Sequence, residues 1–593
     1  MAELADARDS KSRVLVACGF ESHLRYQFGT IAGDAGVATD HAVRELDLTD
    51  GRDDVGTGSG DAPRWAFSAS GPWELDADRL SWLRGSVELR ERQRALVPAW
   101  VRRRWLPPLG RFLSSGSRLA GALIGWRVLD ARRGEHLSRA GLSRRLRLAF
   151  EKLGPAYIKL GQILSSGRGL FPDELVDEFR NCRDRVAPES FDAVRRVVEA
   201  DLGCSLESQF SRFETEPLAA ASIAQVHAAT LRTGEPVVVK VQRPRVAEQV
   251  ERDIKAMAWI APLLTGRIPV ASLANPPALI ELFAETILEE LDFRLEAENM
   301  LDVARVLGDA GQSAIVVPRP HPELVTRRVL VMERLDGFAY DDVAGMQRAG
   351  IDTEQVLRSL LISFLEGAMI YGIFHGDLHG GNLAVMPDGR VALYDYGITG
   401  RMAEPQRLAF LKLMMSGAVN DIRGQLAAFR DLGALDAEAD LDALIRVLKI
   451  DQPVRDPTRM SPNELMGEIR EVLKSLLAQG ARLPKPLMLF VKNMLFIDSA
   501  IAELAPDLDM FAEVMRIYGY FSQRHGKAIV SQMGFDPADS IDLAGMKASM
   551  GLEADVESLT HRELTQRRQV MREKFKDMRR SSRRDEDPPA ATS

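Results

Sequence analysis

The sequence predicts an α+β protein, and three observations carry that reading. Helical periodicity with few strand signals runs to about residue 205. The β-branched run Val237-Val238-Val239-Lys240-Val241 then opens a mixed region, extended by the strand-like stretch Leu324 to Glu333 and by Leu383 to Tyr394. Beyond about residue 400 the pattern is helical again. With 593 residues, 46% of them hydrophobic and 27% charged, the chain is long enough for a large core, at roughly 150 residues per domain.

Residues 1–75 lack a sustained hydrophobic period and contain Asp/Gly/Ser-rich stretches, so a disordered leader is expected there. Gly56 to Gly60 alternates glycine but has no preceding strand and no following Lys-Ser or Lys-Thr, which marks a linker rather than a phosphate loop. An arginine-rich helical extension follows over 76–195, with Arg102 to Arg104, Arg132-Arg133 and Arg144-Arg145 set among Trp82, Trp100, Trp105 and Trp126. Two readings stay open for it: solvated helix faces, or a surface for anionic lipid headgroups. The basic segment from Arg562 to the end poses the same choice, as a terminal helix fading into disorder or a contact for an anionic membrane or partner.

The net charge of −8 argues against a surface built to neutralise nucleic-acid phosphates, so no nucleic-acid partner is expected. Three widely spaced cysteines in no C-x-x-C pattern indicate neither a disulfide framework nor a thiolate zinc site. The N-terminus carries acids where a signal peptide needs a basic region, and the apolar windows 257–271, 357–374 and 486–504 are each interrupted by charge, the last by Lys492 and Asp498. These features place the chain in the cytoplasm, with peripheral contact at the inner face of a membrane as the alternative to a fully dissolved protein.

The chemistry concentrates in His375-Gly376-Asp377-Leu378-His379-Gly380-Gly381-Asn382, followed by an Asp-Gly hairpin (Asp388-Gly389) and then Asp395-Tyr396-Gly397. This is the order of a kinase catalytic loop. The H-x-D-x-x-x-x-N spacing lets Asp377 orient a nucleophile while Asn382 and Asp395 offer hard oxygen ligands to Mg²⁺. Lys240, read as ending the β-branched strand, is placed to hold nucleotide phosphates, and an acidic partner is sought in Glu289 to Asn299, where Asp292 and Glu296 are i,i+4 neighbours in one helical stretch. Where a kinase carries its glycine-rich loop, this chain has Leu218-Ala219-Ala220-Ala221-Ser222-Ile223-Ala224-Gln225-Val226-His227. Alanines there restrict positive φ and crowd the phosphates, so nucleotide geometry is expected to differ from that in a protein kinase. His375 and His379 are read as orienting the loop rather than binding zinc.

In the order of these motifs the chain resembles the UbiB/ABC1/ADCK family of atypical kinases, AarF-like members included. Gly154 to Gln162 is similar to that family's K-x-G-Q segment, Glu290-Leu291-Asp292 to its E-x-D motif, and Glu296-Ala297-Glu298-Asn299 to its helix-C glutamate region. The resemblance implies a bilobal kinase-like fold: an N-lobe over 196–335, a mostly helical C-lobe over 336–525, and C-terminal helices with a basic tail over 526–593. It implies ATP or ADP with Mg²⁺, residues 218–226, Lys240, Glu296 and the hinge residue Glu333 at the nucleotide, and Asn382 and Asp395 on the metal. It further implies that Lys159, Gln162, Glu290 and Asp292 cover the cleft, where Lys159 can pair with Glu290 or Asp292 or reach nucleotide phosphates. The implied function is a kinase or ATPase that supports isoprenoid quinone or membrane-lipid metabolism rather than phosphorylating proteins, with a lipid or isoprenoid-quinone precursor as a partner. The chain departs from the usual H-A-D-P-H-P-G-N at Gly376, Leu378 and Gly380, which draws the loop toward aminoglycoside and choline kinase-like phosphotransferases. A small-molecule phosphotransferase and a nucleotide-sensing scaffold are therefore the competing readings.

Overall fold

In a computed structural model the described residues are 65–68, 71–76, 80–102, 108–132, 135–165, 173–179, 181, 187–264, 276–418, 421–447, 484–533, 556 and 558–566. The glycine-alternating segment 56–60, most of the expected leader and the basic tail beyond 566 lie outside them. Helices lead the chain: α1 (Ser86–Val101), α2 (Leu109–Leu129), α3 (Glu135–Leu153), α4 (Pro155–Ser165), α5 (Asp173–Phe179), α6 (Phe191–Leu202) and the single turn α7 (Leu206–Gln209). Strands β1 (Phe210–Phe213), β2 (Ala219–Ala220), β3 (Ala224–Leu231) and β4 (Pro236–Gln242) follow, then helices α8 (Val246–Leu264), α9 (Pro276–Glu290) and α10 (Phe293–Asp309). Next come β5 (Ile315–Val316), β6 (Pro320–Val325), β7 (Val329–Glu333), β8 (Phe338–Ala339), α11 (Val343–Arg348) and α12 (Thr353–Glu366). Short strands β9 (Ile373–His375), β10 (Leu383–Val385), β11 (Val391–Leu393) and β12 (Thr399–Arg401) precede α13 (Glu404–Ala418), α14 (Ile422–Asp431), α15 (Leu441–Val447), α16 (Lys485–Leu504) and α17 (Met510–Met533).

The main sheet is antiparallel, in the order β1-β3-β4-β7-β6, with β2 pairing β3. Its period of two sorts the β4 side chains: Val237, Val239 and Val241 are fully buried on one face against Val194 and Val198 of α6. Val238 and Lys240 therefore fall on the other face, toward α10. Two smaller sheets, β5-β11-β10-β8 and β12-β9, frame the catalytic-loop segment. The Asp388-Gly389 turn closes β10 on β11 in register, and Gly389 takes φ +83°, the left-handed conformation that a tight hairpin demands.

Four sequence expectations are corrected. Residues 324–333 are not one strand but the hairpin β6–β7; Thr326 turns the chain, its N–H donating to Val329 O (2.8 Å) and its hydroxyl accepting from Val329 N. The leader ends before residue 75. Phe67 bridges Val317, Trp73 Nε1 donates to Pro320 O (2.9 Å), and Trp82 Nε1 donates to Pro322 O (3.0 Å), so indole rings dock this segment on the sheet edge. The expected borders at 195 and 525 fall inside α6 and α17. The helical stretch across Glu289–Asn299 breaks at Leu291-Asp292, because Asp292 caps α10 by accepting from Arg294 N.

Candidate functional site

The site is built where the main sheet, α10 and the catalytic loop meet. Lys240 stands within β4 rather than at its end, cross-strand from Val226 of the alanine-rich loop. Its Nζ donates to Glu296 Oε1 (2.7 Å) on the first turn of α10 and to Asp395 Oδ1 (3.0 Å). Burial alone would lower this ammonium's pKa, but Asp395 and Glu296 overcome it and hold the lysine charged. Glu296 is 2% exposed, and burial pushes its carboxyl up to about 7 against the pull of Lys240.

Asp395 occupies φ 55°, a conformation uncommon outside glycine that costs on the order of 1 kcal/mol and marks a site held by its surroundings. Burial would raise its pKa, yet Lys240 and Lys159 bring it down to about 2. Gly397 leaves the room this needs, since a Cβ there would stand 3.1 Å from Asp395 Oδ1 and 3.3 Å from Glu290 Cγ.

The catalytic loop is fixed by its own histidines. His375 Nδ1 accepts from Asp377 N (3.1 Å), which leaves Nε2 to donate to Tyr394 O (3.0 Å). Burial lowers the His375 pKa, consistent with a neutral ring. His379 Nδ1 accepts from Gly381 N (3.1 Å) at the turn into Asn382. Asn382 Nδ2 donates to Asp377 O (3.1 Å), which turns the amide so that its oxygen remains as a donor atom for a ligand. The two glycine departures have local causes: a Cβ on Gly376 would lie 2.9 Å from Ile398 O, and one on Gly380 would lie 2.8 Å from the Tyr340 ring.

Over this loop lies α4. Lys159 Nζ sits 3.0 Å from Glu290 Oε1 at the end of α9 and 4.0 Å from Asp377 Oδ2. Gln162 follows one turn later on the same helix and is half-buried. Asp292 does not face Lys159; its Oδ2 pairs with Arg294 (2.7 Å), a consequence of its capping position. Glu333 ends β7 with its carboxylate turned to the docked N-terminal segment, taking Ser68 Oγ and Arg319 N (3.2 Å). The alanine-rich segment folds as β2, a turn and β3: Leu218 N donates to Val226 O (2.7 Å), Ala221 N to Ala224 O (2.9 Å), and Arg243 Nε pins Ala221 O (3.0 Å). Leu218 is exposed, whereas Ser222, Ile223 and Gln225 are buried.

Two residues that the motifs do not name complete the loop. On α16, Lys492 Nζ donates to Asp377 Oδ1, and Asn493 accepts from Leu378 N (3.0 Å) while donating to His375 O. Their signal in the sequence was faint: a cation and an amide midway along a largely apolar helix, far from the loop. Burial would raise the Asp377 carboxyl, but Lys492 and then Lys159 hold it far below the usual range, so it stays ionised.

Residues 181–427 match the ABC1 atypical kinase-like domain. An uncharacterized protein of Mycobacterium tuberculosis is 36% identical over 380 residues, which cover 63% of this chain and 76% of that protein. The chain belongs to the ABC1 atypical kinase-like family. Other ABC1 relatives include an uncharacterized aarF domain-containing protein kinase, chloroplastic, of Arabidopsis thaliana (30% identical, 62% of this chain and 73% of that one). A probable protein kinase UbiB of Aeromonas hydrophila is 32% identical over 63% of this chain and 69% of its own length. The mixed helix and sheet content suits such a kinase-like α+β domain. Among the described residues no helix is long and apolar enough to cross a membrane, and no three His, Cys, Asp or Glu side chains converge on a metal position. The donor set of one carboxylate, Asp395, and one amide oxygen, Asn382, fits Mg²⁺, which takes few protein ligands and completes its shell with phosphate oxygens and water.

Proposed function

We propose that this ABC1-family protein is a magnesium-dependent, ATP-binding (or ADP-binding) atypical kinase or ATPase that serves isoprenoid quinone or membrane-lipid metabolism and does not act on protein substrates. The observation that carries the nucleotide reading is Lys240 held between Glu296 and Asp395, with Asp377 and Asn382 on the opposing loop. Lys240 would hold the inner phosphates beneath residues 218–226, with the hinge at Glu333, and Asn382 and Asp395 would hold the metal. The bound metal would neutralise charge on the transferring phosphoryl group. Asp377, kept ionised by its lysines, orients the attacking oxygen more readily than it retains a proton.

The argument against protein substrates is α4: its Lys159 lies against Glu290 and within 4.0 Å of Asp377, where a peptide hydroxyl would otherwise enter. The quinone or lipid part of the reading rests on the family resemblance and on relatives named UbiB. A membrane-surface partner is supported by α2, which turns Leu113, Ile124, Val128 and Leu129 to solvent alongside Arg118 and Arg127.

Thermal-shift titration with ATP and ADP, with and without Mg²⁺, tests the core of the proposal. Wild type is expected to gain a Mg²⁺-dependent shift that Asp395→Asn loses, while Asp377→Asn keeps the shift and loses turnover. Binding without hydrolysis or transfer would favour the nucleotide-sensing scaffold, and turnover with soluble alcohols or aminoglycosides would favour the small-molecule phosphotransferase. For the surface, salt-sensitive flotation with anionic liposomes is expected to fall on Ile124→Glu/Val128→Glu; unchanged flotation would remove α2 from the interface.

A further inference from the structure

Resting on the nucleotide reading of the cleft, we infer that Lys492 of α16 is the cation that meets the terminal phosphate, exchanging its bond to Asp377 for one to the γ-phosphoryl oxygens. Three observations and one general principle lead there. The segment His375 to Asn382 contains no Lys or Arg, so the loop that positions the nucleophile supplies no permanent positive charge of its own. Phosphoryl transfer is catalysed almost entirely by positioned charge, so a cation is wanted beside this loop. Of the other two lysines at the site, Lys240 is engaged by Glu296 and Asp395, and Lys159 by Glu290. Lys492 is bonded to Asp377, the residue beside which nucleophile and terminal phosphate meet, so its ammonium lies within a side chain's reach of both.

Its mounting differs from that of a charge acquired only to neutralise Asp377. The side chain of Lys492 is 23% exposed, against 14% for Lys159 and 8% for Lys240, so it is the one with room to change partners. Its neighbour Asn493 is fully buried and grips the loop on both sides, at His375 O and Leu378 N. That clamp fixes the backbone of α16 against the loop while the lysine side chain stays partly open to solvent, the arrangement expected of a positioned cation that can change partners. Asp377, once released by Lys492, retains Lys159 at 4.0 Å and is freed to accept a hydrogen bond from the nucleophile.

The experiment measures Mg²⁺-dependent dissociation constants for ADP and for a non-hydrolysable ATP analogue in wild type, Lys492→Met and Lys492→Arg. Lys492→Met is expected to weaken the ATP analogue about tenfold more than ADP, the loss of one charge-assisted bond, whereas Lys492→Arg keeps most of the difference. Because Lys492→Met strands a buried carboxylate and could impair folding, the same comparison is made between Asp377→Asn and Asp377→Asn/Lys492→Met, which lacks both charges. A loss specific to the triphosphate in that pair supports the inference. Equal effects on ADP and the ATP analogue, or none, overturn it and leave Lys492 as the counter-ion of Asp377. Absence of nucleotide binding in wild type would overturn the cleft reading itself, and this inference with it.

Discussion

Glu296 and Asp395 share Lys240 yet titrate in opposite directions: burial raises both, but Asp395 also faces Lys159, whereas Glu296 has only Lys240 to offset its burial. Glu296 is raised to about 7 from its ordinary 4.5, so its contribution to stability is fully present below about 4.5 and is lost as pH rises toward 7. Asp395 is lowered from 3.8 to about 2, so its contribution is present above 3.8 and lost as pH falls through 2. Glu296→Gln removes the first effect alone. The melting temperature of Glu296→Gln relative to wild type should therefore climb between about pH 4.5 and 7, in the absence of nucleotide. A flat difference across that window would mean that Lys240 keeps Glu296 ionised throughout. Asn493 is read at the same scale: Asn493→Ala strips two main-chain groups of the catalytic loop of their partner and should cost about 2 kcal/mol in chemical denaturation.

Among elements, the turn between α9 and α10 decides which acid serves the cleft. Asp292 spends its carboxylate on the free N–H at the start of α10 and on Arg294, while Glu290, two residues earlier, ends α9 facing Lys159. Asp292→Ala should lower stability by about 1 kcal/mol without changing nucleotide affinity, whereas Glu290→Gln should alter the cleft. Sequence spacing alone made Asp292 and Glu296 neighbours on one helix face, because i,i+4 geometry holds only inside an unbroken helix. The cap residue that interrupts it has the same composition as a helix residue. The catalytic loop shows the reverse case: its residues are local in sequence, so their order was legible, and the hairpin with Gly389 followed from turn chemistry. Gly376 and Gly380 are explained only by Ile398 and Tyr340 packed against them, and Gly376→Ala should destabilise by about 1 to 3 kcal/mol, measured by thermal melting.

At the scale of the whole molecule, the N-terminal segment ties the sheet edge to the interior. Trp73 and Trp82 donate to the carbonyls of Pro320 and Pro322, Arg319 Nη1 donates to Trp73 O (2.7 Å), and Ser68 reaches Glu333 at the end of β7. Removing residues 1–84 should lower the melting temperature by several degrees and expose an edge strand, detectable as concentration-dependent light scattering. An unchanged melting temperature would show that the segment contributes no net stability. Trp65, Trp73 and Trp82 set 65–82 apart in composition from the leader before it, but where it docks was not legible, because its anchoring depends on two indoles meeting carbonyls at sequence separations of 247 and 240.

By itself the sequence determined the α+β character, the kinase-like order of Lys240, Glu296, Asp377, Asn382 and Asp395, and membership of an ABC1-like lineage. Each is encoded in local spacing: period-two burial in β4, the H-x-D-x-x-x-x-N loop and the Asp-Gly hairpin. Only the tertiary structure decided that Lys159 meets Glu290 and not Asp292, that the leader ends in a docked segment, and that Lys492 and Asn493 of α16 hold the catalytic loop. The reason is that these partners lie 115 or more residues apart, or are separated by a helix break. The carboxylates, cations and amides that choose them are common residue types whose pairing is set by which faces the core brings together.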